Sequence, residues 1–218
     1  MSPDGAVEST VLEVLVRHLR KRCEKTKHRE AVTQLVEDDQ LWCDCTIDLH
    51  DAVLTEIADF RGATFTNDAD FRGATFTNDA DFWSATFTND TNFWGATFNR
   101  LAIFRGATFN RFAGFGGATF TNVTDFGGAT FTNDAIFRGA TFNRFAIFWG
   151  ATFNRLADFG DATFTNVTNF AGATFSRSAP PRGLPPRRVD EDGLPHGARW
   201  ADADDKGPEA GSPDDAPR

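Results

Sequence analysis

The sequence contains no tyrosine, one methionine and three cysteines, whereas phenylalanine occurs 24 times. A small, odd number of cysteines does not provide a disulfide framework and fits a protein of the reducing cytoplasm. The longest apolar run, residues 11–16, contains a glutamate and is too short to cross a membrane. The first five residues have neither the basic nor the apolar region of a signal peptide. These absences predict a cytoplasmic protein with no membrane segment.

An excess of basic residues is also missing, since 22 Lys and Arg stand against 31 Asp and Glu, a net charge of −9. Direct binding of nucleic acid, which needs clustered cations, is therefore disfavoured. Cys43, Cys45 and His50 offer metal-binding groups, but their spacing matches no standard zinc site. Histidine is absent from the repeats after His50 and serine is scarce, so no catalytic group is expected. We predict a protein that is not an enzyme and holds no metal or cofactor.

An internal repeat accounts for the phenylalanine excess, because 22 of the 24 lie five and six residues apart in strict alternation. These 22 are Phe60, Phe65, Phe71, Phe76, Phe82, Phe87, Phe93, Phe98, Phe104, Phe109, Phe115, Phe120, Phe126, Phe131, Phe137, Phe142, Phe148, Phe153, Phe159, Phe164, Phe170 and Phe175. Alanine, or in three cases threonine, precedes each by two residues. Leu49 and Leu54 continue the spacing backwards, which gives 24 centres.

A strand explains this pattern, whereas a helix does not. Residues two apart point to the same side of a strand, so alanine and phenylalanine face inward together. A five- or six-residue segment cannot bury its own face, and successive segments must therefore wind into a solenoid. Four sides take 22 residues, two whole repeats, so that equivalent residues stack. The prediction is six coils with the phenylalanines as a core ladder, in a rod roughly 30 Å long at about 4.8 Å per coil.

The repeat resembles the pentapeptide-repeat family, whose motif has a small residue two positions before a central Leu or Phe. Ala58-Asp59-Phe60-Arg61-Gly62 and Ala69-Asp70-Phe71-Arg72-Gly73 match it directly. The closest look-alikes are bacterial members with the same eleven-residue variant. The resemblance implies a right-handed quadrilateral β-helix, an all-β solenoid, with a short helical segment at its N-terminus.

The flanks differ from the repeats in composition. Residues 1–6 are predicted to be flexible, residues 7–45 to form a helical cap, and residues 46–178 to form the β-helix. Thr10 and Glu13 form a capping box before apolar residues at helical spacing. Residues 179–218 contain eight of the nine prolines and no phenylalanine, which predicts a disordered tail.

Each six-residue segment contains an extra corner residue, and these corners provide the candidate sites. One column has an apolar stripe of Leu101, Val123, Phe145 and Val167 above Asp79. The stripe either tucks inward and thickens the core, or faces outward as an interaction surface or dimer seam. Asp68, Asp79 and Asp90 form a candidate acidic surface at the other end of the rod.

Three functions are compatible with the sequence, and the first is favoured: a non-enzymatic scaffold or protein-interaction module with an unknown protein partner, for which the apolar stripe offers a homodimer seam. The resemblance implies an alternative, since acidic pentapeptide rods mimic DNA and modulate DNA gyrase and other type II topoisomerases. Against it, residues 52–98 hold seven acids and two bases, whereas residues 99–178 hold four acids and seven bases. A minor alternative is ice binding through ladders of outward threonines. They are Thr64, Thr86, Thr108, Thr130, Thr152 and Thr174 on one side, and Thr75, Thr97, Thr119, Thr141 and Thr163 on the opposite one.

Overall fold

Every side of the coil is short, because five or six residues must supply both a strand and a corner. The computed structural model describes residues 46–184 and 188–201. They form a right-handed parallel β-helix with four faces, A to D, which follow one another in that order along the chain. The predicted fold class and the six coils of the repeat region are confirmed. The predicted helical cap lies outside the described residues.

The described residues form 25 strands, each two residues long. Face A contains β1 (Ile47–Asp48), β5 (Ala69–Asp70), β9 (Thr91–Asn92), β13 (Ala113–Gly114), β17 (Ala135–Ile136) and β21 (Ala157–Asp158). Face B contains β2 (Val53–Leu54), β6 (Thr75–Phe76), β10 (Thr97–Phe98), β14 (Thr119–Phe120), β18 (Thr141–Phe142) and β22 (Thr163–Phe164). Face C contains β3 (Ala58–Asp59), β7 (Ala80–Asp81), β11 (Ala102–Ile103), β15 (Thr124–Asp125), β19 (Ala146–Ile147) and β23 (Thr168–Asn169). Face D contains β4 (Thr64–Phe65), β8 (Thr86–Phe87), β12 (Thr108–Phe109), β16 (Thr130–Phe131), β20 (Thr152–Phe153), β24 (Thr174–Phe175) and β25 (Arg199–Trp200).

The register advances by 22 residues per coil, so that Ala58 lies beside Ala80 and Phe76 beside Phe98. Each residue therefore stacks on its equivalent in the next coil, which is what the alternation of five and six residues predicts. Opposite faces are alike: A and C carry the Ala-x-Phe segments, and B and D carry Ala-Thr-Phe.

The core consists of four columns of phenylalanine rings, one per face. The structure buries all 22 phenylalanines of the predicted ladder. Phe98, for example, stacks on Phe76 at 4.6 Å between ring centroids and on Phe120 at 4.9 Å. Rings of faces A and C meet edge to face, as between Phe115 and Phe126 at 5.2 Å and 83°. Both geometries are favourable for aromatic rings, and the inward alanines leave the space that the rings fill.

The corners are of two kinds. After faces A and C the chain turns tightly, with a hydrogen bond from the Ala63 amide to the Phe60 carbonyl and Gly62 at φ 64°. A positive φ at the third residue of the turn is the mark of a type II turn. Ser84 and Asp161 adopt the same conformation without being glycine. After faces B and D the additional residue makes a wider corner.

Of the tail predicted to be disordered from residue 179, the described part packs on the β-helix, whereas residues 185–187 and 202–218 lie outside the described residues. β25 pairs in parallel with β24 on face D, and Arg182 forms a parallel bridge to Asp158 on face A. Leu194 packs into the core at 2% exposure. Residues 182 and 188–201 thus begin a seventh coil over the open end, because the unpaired strands and ring edges of the last coil offer a surface to cover.

Candidate interaction surface

The extra residue of each wide corner is fixed through its backbone. The amide of Ala80 donates to the carbonyl of Leu101 at 2.9 Å, and the amide of Thr124 donates to that of Phe145 at 2.9 Å. These bonds align the corner residues of successive coils in one column beside face C. The side chains are thereby left on the outer side of the corner.

The apolar stripe of Leu101, Val123, Phe145 and Val167 faces outward in the structure. Phe145 is 44% exposed and Val167 is 58% exposed, while Leu101 and Val123 are half-buried. None of the four belongs to the buried core. The sequence allowed these corner side chains either to tuck into the core or to face outward, and in the structure they face outward.

Sequence reasoning missed part of the same surface. Ile57, which is 61% exposed, stands in the column of the stripe one coil before Asp79, and a further 22-residue step backwards would have found it. Ile103 and Ile147 take the outward strand position of face C, where Asp59, Asp81 and Asp125 stand in other coils. In the sequence, isoleucine in place of aspartate at the middle position of the Ala-x-Phe segment would have indicated this part of the surface.

The outer column of face C adds aromatic side chains. Trp83 and Trp149 occupy the same column three coils apart and are 52% and 54% exposed. The stripe, the two isoleucines and Trp149 lie on adjacent strands, which are about 4.8 Å apart in a sheet. From β11 to β23, face C thus presents a largely apolar surface that is interrupted by Arg105, Asp125 and Asn169.

Face A has a smaller apolar area. The indole of Trp94 lies over Gly114 and Gly116 of the next coil, where an added Cβ would be 2.5 Å and 3.0 Å from the ring. Charged residues surround it on this face: Asp70 pairs with Arg72 at 2.6 Å, and Asp158 pairs with Arg138 at 3.0 Å. Face A therefore lacks the continuity that face C has.

The candidate acidic residues are not brought together on one surface. Asp79 lies at the corner between faces B and C, whereas Asp68 and Asp90 lie at the opposite corner between D and A. Each carboxylate Oδ1 accepts a hydrogen bond from the corner amide of the next coil. The donors are Asp90 to Asp68, Leu101 to Asp79 and Phe112 to Asp90, at 3.2–3.3 Å. These aspartates thus stabilise the wide corners.

Other carboxylates of the acidic half are paired with arginine. Asp59 contacts Arg61 at 2.7 Å, and Arg61 also lies 3.7 Å from Asp81. The hydrogen bonds from the Arg72 guanidinium lower the pKa of Asp70. The negative charge of these coils is thereby partly neutralised on the surface itself.

Threonine ladders cover faces B and D. The outward threonines are half-buried for most of the rod, and Thr174 donates to Thr152 at 3.3 Å. The residue after each phenylalanine on these faces is irregular. Thr77 at this position donates its hydroxyl to the Leu54 carbonyl, and asparagine replaces threonine at residues such as Asn99. The two faces are flat but chemically uneven.

Within residues 46–184 and 188–201, no three histidine, cysteine, aspartate or glutamate side chains come together as a metal site would require. The three cysteines lie outside that part of the chain. Nor does this part contain a helix with the length and apolar character needed to traverse a bilayer.

Comparison with known families agrees with this geometry. A family model described as pentapeptide repeats, nine copies, matches residues 49–97, 93–141 and 115–163. The matched residues span more than half of the chain and coincide with the stacked coils. Comparison with curated proteins finds no match.

Proposed function

Because the chain belongs to the pentapeptide-repeat family, we propose that it is a non-enzymatic scaffold that binds a protein partner through face C. Membership of the family explains the β-helical rod, and the residues exposed on the rod support the proposed function. We place this function in the cytoplasm of a bacterial cell, in keeping with the low cysteine content and the bacterial look-alikes.

One observation supports the proposal above the others: Phe145, Ile147 and Trp149 follow one another at every second residue, at the corner, the strand and the turn of one side of the coil. Two of these three side chains are about half exposed. Contiguous apolar surface on a soluble protein marks sites of protein contact, whereas single exposed hydrophobic residues do not. Aromatic side chains are also the residues that contribute most to binding energy at such sites.

A pull-down from extracts of the source cell, with the purified full chain as bait, tests this function. Leu101→Asp combined with Phe145→Asp should remove the bound partner while leaving the fold intact, since both side chains lie outside the core. The matched control is Phe112→Asp with Leu156→Asp at the opposite wide corner, which should bind as the wild type does. Equal binding by all three proteins would contradict the role of face C.

DNA mimicry stays the second candidate. It would require the negative charge of the N-terminal coils, yet two carboxylates there, Asp59 and Asp70, are paired with Arg61 and Arg72. Asp68→Asn, Asp79→Asn and Asp90→Asn together remove the charge but keep an oxygen to accept each corner amide. If this triple variant loses inhibition in a gyrase supercoiling assay and the Leu101–Phe145 variant does not, DNA mimicry replaces our proposal.

A further inference from the structure

We infer that the partner of face C is a second copy of this chain, packed face to face with the two rods antiparallel. This inference rests on the proposed function, because it names the occupant of the same surface. Its basis is the order of charges along face C together with the position of the exposed tryptophans.

The net charge on face C changes sign several times along the rod. We define the level of a face C strand as the residues from the corner before that strand to the turn after it. The charged residues are Glu56, Asp59 and Arg61 at β3; Asp79 and Asp81 at β7; Arg100 and Arg105 at β11; Asp125 at β15; and Arg144 at β19. The net charges are therefore −1, −2, +2, −1 and +1, and the level of β23 is neutral.

This order distinguishes the two ways of pairing identical faces. If the rods were parallel, each level would meet its own copy, and the like charges at β7 and β11 would repel. In an antiparallel pair with a two-fold axis along the strand direction, between β11 and β15, β7 faces β19 and β11 faces β15. Negative then faces positive at both places, and β3 faces the neutral level of β23.

The same axis also brings apolar residues together in the corner and turn columns, whereas Phe145 faces Asp79 and the two isoleucines face aspartates of the second copy. Trp83 on the level of β7 lies opposite Trp149 of the second copy, and the contact occurs twice by symmetry. Leu101 lies opposite Val123, and Ile57 lies opposite Val167. Three features not used to place the axis are thus matched by it.

The size of the face fits a dissociable dimer. Six strands about 4.8 Å apart and a side of about five residues give a face of roughly 29 by 16 Å. Two such faces cover about 900 Å², below the 1,200–2,000 Å² of standard interfaces, so we expect a dissociation constant in the micromolar range.

Sedimentation equilibrium of the full chain between about 1 and 100 µM measures the association. We expect a monomer–dimer equilibrium that Phe145→Asp weakens at least tenfold and that Phe112→Asp leaves unchanged. A wild type that is monomeric throughout overturns the inference. If the wild type is monomeric but the pull-down captures another protein that the Leu101–Phe145 variant does not capture, the proposed function is still supported.

Arg144→Glu tests the charge pairing, because it would face Asp79 and Asp81 of the second copy. It should weaken the dimer about tenfold at low salt and less at high salt. Arg111→Glu, the equivalent exposed arginine at the opposite corner, is the control. Equal effects of the two variants overturn the antiparallel register.

Cross-linking tests the orientation directly. In a chain whose three cysteines are replaced by serine, Arg61→Cys and Ala171→Cys lie in the same column at opposite ends of face C. A bis-maleimide spanning about 10 Å, the spacing of packed sheets, should join the two variants when they are mixed. Cross-linking of Arg61→Cys to Ile57→Cys instead would identify parallel rods, because a parallel pair places the turn column opposite the corner column, and it would overturn the inference.

Discussion

At the scale of single residues, the repeat tolerates threonine at three positions where alanine otherwise packs inward, and two of the three concern the buried core. Thr91 and Thr124 are both fully buried. The hydroxyl of Thr91 has an acceptor, the carbonyl of Asn89 at 3.5 Å, whereas that of Thr124 is buried with no partner. A buried polar group without a hydrogen bond costs stability, so the two positions should respond differently to the loss of the hydroxyl.

Thr124→Val should raise the free energy of unfolding by about 1 kcal/mol, because it removes an unsatisfied hydroxyl and keeps the branched shape. Thr91→Val should leave stability unchanged or lower it. Denaturant unfolding of both variants beside the wild type measures the difference. A lower stability for Thr124→Val would show that its hydroxyl is paired in solution.

His50 provides a pH-dependent contact at the first coil. Its ring Nδ1 lies 2.6 Å from the Asp48 carboxylate, and this hydrogen bond raises the pKa of His50 and lowers that of Asp48. The stabilisation from His50 is therefore complete below its unfolded pKa of about 6.5 and is lost as pH rises through the folded pKa. Asp48 contributes above its own unfolded pKa and loses that contribution as the pH falls through its folded pKa.

We expect an NMR titration to give His50 a pKa above 6.5. Asp48→Asn should return that pKa towards the ordinary value, since the carboxylate is its main cause. An unchanged His50 pKa in the variant would contradict the contact.

At the scale of strands and corners, one short sequence unit determines the structure because the unit is repeated in register. The inward phenylalanines, the 22-residue step and the two kinds of corner all follow from the alternation of five and six. The direction of the corner side chains could not be read from it, since apolar residues are compatible with either side. The packing of residues 188–201 could not be predicted from the sequence either, because Leu194 and Trp200 belong to no periodic pattern.

Phe120→Ala should lower the free energy of unfolding by about 3–5 kcal/mol, as expected for a buried ring. Its ring stacks at 4.9 Å on Phe98 and at 4.8 Å on Phe142, so the variant interrupts a whole column. Phe145→Ala removes the same side chain from an exposed corner and should cost less than about 1 kcal/mol. Chemical denaturation compares them, and equal losses would place Phe120 outside the core.

At the scale of the whole molecule, the rod must protect its ends. The described C-terminal segment does this for faces A and D through Arg182 and β25, with Leu194 inserted beneath. An uncovered solenoid end presents unpaired strands and therefore invites end-to-end association.

Leu194→Asp should release this covering, because burying an unpaired carboxylate is costly. We expect faster exchange of the Arg199 amide, which donates to the Ala173 carbonyl, and concentration-dependent light scattering at temperatures where the wild type stays clear. Glu191→Ala, an exposed change in the same segment, should have neither effect. Unchanged exchange in Leu194→Asp would mean that the segment does not depend on this anchor.

The 22-residue coil also bears on how the length of such a gene can change. Unequal recombination between repeats can remove or add one eleven-residue unit, and the phenylalanines would still point inward. Every residue downstream would, however, rotate by half a turn, because faces A and C are exchanged. A loss between Leu101 and Val123 would thus move the rest of the apolar stripe to the far side of the rod. Gain or loss of two units at once changes only the length, so selection on the surface would keep the array in whole coils even where the core would accept half of one.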